Sequence, residues 1–126
     1  MAKTSTRLAA MGLALGAALT LLGTTGSAHA AAQASGTTLQ PNSNVRAEPN
    51  TSSRVLGTTT SQALMYIVCF KHAQYVKVGN YGTDVWYYGD VDDRGTNPMT
   101  WYHNPWVWGG NVNVGADPAP GIRECS

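Results

Sequence analysis

The chain has 126 residues, eight Lys or Arg against seven Asp or Glu, and a net charge of +1. That length fits one domain of the usual ~100–200 residues and leaves no room for a multidomain enzyme. The balanced charge offers no basic stripe for nucleic acid, and a charged fraction of 12% excludes a disordered polyelectrolyte.

Lys3 and Arg7 open the chain, fifteen uncharged residues run from Leu8 to Leu22, and a small, polar stretch ends at Ala28-His29-Ala30. This order of basic, apolar and small segments predicts a secretory signal peptide over residues 1–30, cut after Ala30 or, as second choice, after Ala32. A membrane anchor would need ~20 apolar residues, and this stretch is shorter and rich in Gly and Ala. No membrane association is expected after cleavage. The 96 residues that follow hold six basic and seven acidic side chains and all eleven aromatic ones, from Tyr66 to Trp108.

Residues 31–41 are mostly Ala, Gln, Ser, Gly and Thr, lack periodicity and read as a flexible tail. The domain is expected over 42–126. No helical periodicity occurs after residue 30. Short β-type runs occur instead at Asn44–Arg46, Arg54–Thr58, Leu64–Phe70, Tyr75–Val78, Asp84–Tyr88 and Trp106–Gly109. Gly79-Asn80-Tyr81-Gly82 reads as a hairpin turn. Asp90 to Pro98 reads as a polar, solvated loop, and Pro118, Pro120 and Gly121 keep the last residues irregular. Five or six short strands at this spacing predict an all-β fold, a small, partly open barrel, which also limits exposed sheet edges.

Cys69 and Cys125 are the only cysteines, and the exported compartment is oxidising, so one disulfide is expected between them. Val68 and Phe70 beside Cys69 offer nothing to lower a thiol pKa, which argues against a reactive thiol.

Several motifs together resemble the bacterial SH3-like (SH3b) domains. They are Asn44-Val45-Arg46 with Pro49, then Ser52-Ser53-Arg54-Val55-Leu56-Gly57-Thr58, Met65-Tyr66-Ile67-Val68-Cys69, Tyr75-Val76-Lys77-Val78 and Trp106-Val107. They span about Asn44 to Gly110, and the stretch from Gly115 to Cys125 is similar to the cysteine-ended variant in small exported proteins of actinobacteria. The resemblance implies an SH3-like barrel and contact with cell-wall peptidoglycan, as in domains that accompany wall enzymes of Gram-positive bacteria. Gln62 or Ala63 stands where the family often has Gly, and the segment from Asp90 to Asn104 is longer than the family's usual link.

Strand side chains alternate between faces. If Val55, Met65, Ile67, Val76, Val78, Val85 and Val107 point inward, Cys69 joins the face of Met65 and Ile67. Trp86, Tyr88, Trp106 and Trp108 then point outward. Seven aromatic residues fall between Trp86 and Trp108. Their rings either fill the end of the barrel or line a groove for sugars, peptides or a protein surface. The expected ligand-binding residues are Trp86, Tyr88, Trp101, Tyr102, Trp106 and Trp108.

No catalytic role is expected. Asp90, Asp92 and Asp93 before Gly95 miss the calcium-loop spacing, because Arg94 and Trp101 fall at the fifth and twelfth positions. His72 and His103 do not form a zinc set, and the serines lack a nucleophile elbow. No cofactor or metal is expected. The expected protein is a secreted or cell-wall-associated monomer that binds a wall peptide or glycan. The alternative is a disulfide-stapled extracellular interaction factor or inhibitor without wall affinity.

Overall fold

The computed structural model describes residues 36–126; the leader expected over 1–30 and the first part of the expected tail lie outside the described residues. Seven strands form one antiparallel sheet: β1 Gly36–Thr38, β2 Asn44–Arg46, β3 Val55–Thr58, β4 Ala63–Val78, β5 Tyr81–Asp93, β6 Thr100–Tyr102 and β7 Trp106–Trp108. Hydrogen bonding runs in the order β1-β4-β5-β7-β2-β3, and β6 also pairs with β5. The path ends on two edges, β1 and β3, so the all-β fold is an open sheet rather than a closed barrel.

The frame is one long hairpin. Strand β4 has 16 residues and β5 has 13. Sequence reading divides β4 in two and stops β5 at Tyr88, because Lys71-His72-Ala73-Gln74 and Asp90-Val91-Asp92-Asp93 look like loop. Lys71 and His72 pair with Trp86 and Val85 before a bulge, and Asp90 to Asp93 pair with Tyr66 to Ala63. The hairpin closes at Gly79-Asn80, between Val78 and Tyr81. Gly79 has φ +61°, in the first central position, where a type II′ turn requires glycine.

The sheet curls around one apolar face. Val45 from β2, Met65, Ile67 and Phe70 from β4, Val85, Tyr87 and Val91 from β5 and Val107 from β7 form a single buried cluster with Leu39 and Val112. Burying each large apolar side chain contributes about 1.5–3 kcal/mol. Val85, Met65, Ile67 and Val107 face inward as expected. Val55 and Val78 do not; they are 42% and 63% exposed. A register shift between Val45 and Arg46 sets Val55 opposite Arg46 and sends Leu56 to the core instead. Val78 lies at the far end of the hairpin, past the rungs that β1 and β7 reach.

Two further expectations are corrected. Gly36–Thr38 is an edge strand on Tyr66, Met65 and Leu64, not a flexible tail. Leu39, the one bulky apolar residue of that stretch, is buried against the fold, and its N–H donates to the Ala63 carbonyl at 3.1 Å. The acidic run is not a solvated loop: Asp90, Asp92 and Asp93 belong to β5, and Asp92 and Asp93 are buried. Burial alone would raise the Asp93 pKa. Donation from the Thr60 hydroxyl at 2.5 Å, the Thr60 N–H and the Gly95 N–H outweighs it and holds the carboxyl below its ordinary value.

The last residues cross the sheet and are clasped twice. Cys125 is disulfide-bonded to Cys69, with Cα atoms 5.0 Å apart. The Phe70 N–H donates to the Arg123 carbonyl and the Cys125 N–H to the Phe70 carbonyl. Upstream, Asp117 accepts from the Tyr81 hydroxyl and, at 2.7 Å, from the Tyr87 hydroxyl.

Candidate functional site

Residues directly opposite one another on antiparallel strands project from the same face. One rung crosses four strands through Cys69 on β4, Tyr88 on β5, Trp106 on β7 and Arg46 on β2. The next rung carries Lys71, Trp86 and Trp108. Trp86, Tyr88, Trp106 and Trp108 therefore share the face opposite Val85 and Val107, as the alternation predicts. Tyr88 and Trp106 touch, with ring centroids 4.9 Å apart.

Cys69 is on this aromatic face, not on the face of Met65 and Ile67. A bulge between Ile67 and Cys69 inserts Val68, after which Cys69 pairs with Tyr88 and Phe70 turns to the core. Alternation read without the bulge inverts both residues.

The four rings are not equally available. Trp86 is 1% and Trp108 7% exposed. Trp86 Nε1 donates to the Gln74 carbonyl at 2.8 Å and Trp108 Nε1 to the Thr83 carbonyl at 2.9 Å. The Gln74 side chain is itself tied to Thr51, whose N–H donates to Gln74 Oε1 at 2.7 Å. Both indoles are thus structural. Their edges still floor a cleft of about 170 Å³, rimmed by Asn42, Asn44, Arg46, Thr51, Val76, Val78 and Asn111.

A second cleft, of about 390 Å³, opens on the other side of the Tyr88–Trp106 pair. The disulfide and Val68 form one wall, and Arg123 and Ser126 border it. The covalent clasp fixes the shape of this cleft as well as the end of the chain.

Trp101 and Tyr102 part company. Trp101 pairs with Asp92, on the face that carries Tyr88, and is 40% exposed. Its ring stacks on Tyr66 with centroids 6.2 Å apart, and its Nε1 donates to His103 Nδ1 at 2.9 Å. Tyr102 pairs with Val91, packs against the core and lies over the bare Cα of Gly57. It belongs to the opposite face and does not join the other five aromatic residues. Of the carboxylates between the aromatic groups, Asp90 Oδ1 accepts from the Asn104 N–H at 2.9 Å and Asp92 Oδ2 from Arg94 Nε at 2.9 Å, while Asp92 Oδ1 is buried with no partner among the described residues.

Sequence reasoning missed Asn44 and Arg46 as members of this face. The signal was present in Asn44-Val45-Arg46, because a core valine puts both neighbours outside. What the face offers is flat apolar area, the guanidinium groups of Arg46 and Arg123, one at each cleft, and several amides. No family model matches the chain, and no curated protein or solved structure matches it.

Proposed function

We propose that the protein is a secreted, non-catalytic SH3-like module that binds an extended cell-wall peptide or glycan across its aromatic face. The observation that carries this reading is the Tyr88–Trp106 pair standing between two clefts, with the Trp101–Tyr66 stack further along the same face. Stacked rings with polar tips give a rigid platform at low entropic cost. The disulfide suits an oxidising compartment. Sedimentation with purified bacterial cell walls tests the proposal. Native protein should co-sediment, and Trp101→Ala with Trp106→Ala should abolish it; binding that survives the pair rejects this face.

The alternative, an extracellular interaction factor, draws on a different feature. Tyr75, Val78 and Tyr81 are all exposed near the β4–β5 turn. A protein partner captured from culture medium that is lost on Tyr75→Ala and Val78→Ser, with no co-sedimentation on walls, would favour it.

A further inference from the structure

We infer that the cleft floored by Trp86 and Trp108 is a receptor for the free C-terminus of a peptide, with Arg46 holding the carboxylate. This deepens the binding-module reading by naming a ligand class for one end of the aromatic face.

The argument starts from charge. Arg46 is the one charged residue lining the cleft. Among the described residues it makes no ion pair, and its side chain makes a single hydrogen bond, from Nη1 to the Ser53 carbonyl at 2.9 Å. A guanidinium has five N–H donors in a fork that matches a carboxylate. Four of the five have no acceptor among the described residues, and the floor beside them is indole.

Three primary amides complete the rim. Asn44 Oδ1 accepts from the Thr58 hydroxyl at 3.2 Å, and its NH₂ makes no hydrogen bond among the described residues. The Asn42 and Asn111 side chains make no hydrogen bond among the described residues, and both line the cleft. An amide both donates and accepts, which is what a peptide group next to a terminal carboxylate requires. Val76 and Val78 supply an apolar wall for one small side chain. At about 170 Å³ the space is below the ~300–1,000 Å³ of a drug-sized pocket, so it takes a terminal residue rather than a length of chain.

The experiment follows the four indole N–H signals by ¹H–¹⁵N NMR on the disulfide-intact protein. The probes are N-acetylalanine, its C-terminal amide, and propionate. N-acetylalanine should shift the Trp86 and Trp108 signals saturably, and the amide and propionate should each bind at least tenfold more weakly. Equal shifts with the amide overturn the carboxylate. Equal shifts with propionate overturn the peptide terminus in favour of any small acid. Arg46→Gln should weaken N-acetylalanine at least tenfold. Because Arg46 also bonds to Ser53, Asn44→Asp serves as the second variant. It keeps the acceptor for Thr58, sets a negative charge beside the cleft, and should weaken binding to the same degree. A variant that folds and binds normally rejects the site. Wall sedimentation is scored separately, so a failure of the receptor and a failure of wall binding are told apart.

Discussion

Cys69 stands directly opposite Tyr88 in the β4–β5 ladder, so the disulfide lies on the aromatic face and not in the apolar core. One inserted residue, Val68, causes this. A β-bulge adds a residue to one strand and so exchanges the faces of everything after it. Here it turns Phe70 inward, where the core gains a ring, and Cys69 outward, where Cys125 can reach it. Gly89, opposite Ile67, lets the strands approach at that point; a Cβ there would lie 2.1 Å from the Tyr66 carbonyl oxygen. Gly89→Ala is therefore expected to collapse the bulge and leave both cysteines titratable by a thiol reagent in the expressed protein. An intact disulfide in a folded Gly89→Ala protein contradicts this.

Removing the clasp should cost stability without dissolving the sheet. The cysteines are 56 residues apart in sequence, for which loop-entropy arguments give about 4 kcal/mol. Cys69→Ala with Cys125→Ala should lower the unfolding free energy by about 2–4 kcal/mol in urea. The strand circular dichroism signal should persist, because the core cluster does not include either cysteine. Loss of all β structure would mean that the core cannot stand without the covalent link.

A second anchor of the tail is polar. Tyr87 is buried; its hydroxyl donates to Asp117 and accepts from the Ala119 N–H at 3.0 Å. Burial first, then the Asp117 carboxylate, raise the Tyr87 pKa well above the ordinary 10. Tyr81 is raised too, chiefly by its hydrogen bond to Asp117. A phenol with a raised folded pKa contributes stability that is complete below pH 10 and is lost as pH climbs through the folded value. An ultraviolet difference titration compared between the native protein, Tyr81→Phe and Tyr87→Phe should place the ionisation of Tyr81 and Tyr87 above pH 10. Tyr87→Phe should cost about 1.5–3 kcal/mol, the range for a hydrogen bond to a charged group. Ionisation of Tyr87 at or below pH 10 would show that the clamp is open in solution.

The strands at Asn44–Arg46, Val55–Thr58 and Trp106–Trp108, the turn at Gly79 and the shared face of Trp86, Tyr88, Trp106 and Trp108 are legible from local rules, and the cysteine pairing from there being only two. Period-two alternation and turn chemistry need only near neighbours. Three things are not legible. The bulges at Val68 and near Ala73 shift register by whole residues, and no residue type marks them. The burial of Trp86 depends on Gln74, which itself depends on Thr51, 23 residues earlier. Asp93 lies in a strand because Thr60 satisfies its carboxylate, a long-range bond that turns a polar stretch into ladder.

His72 supplies a pH test outside the core. Its Nδ1 lies 2.8 Å from Asp84 Oδ1 across the hairpin. This hydrogen bond raises the imidazole pKa above 6.5, with a small further push from Glu124. Any stability from the pair is present below pH 6.5 and fades as pH rises through the raised value. An NMR titration should place the His72 midpoint above 6.5, and Asp84→Asn should bring it down. A native midpoint at or below 6.5 would show that solvent breaks the exposed pair.

Aromatic residues on one face divide into structural and binding groups, and the two should separate by experiment. Trp86 is enclosed and bonded to the Gln74 carbonyl, so Trp86→Ala removes a filled volume and that hydrogen bond. The expected cost is about 3–5 kcal/mol, which endangers the fold of a domain this small. Trp101 loses its stack on Tyr66, a contact worth about 0.5–1.5 kcal/mol, and an exposed hydrogen bond to His103. Trp106 touches Tyr88 and borders the larger cleft, so its truncation should cost an intermediate amount of stability. Stability and wall co-sedimentation measured on the three variants should therefore rank differently. Trp86→Ala should be the least stable, and Trp101→Ala should bind poorly while melting close to the native protein. Native-like co-sedimentation by Trp101→Ala and Trp106→Ala, each tested alone and then together, would assign these rings to packing.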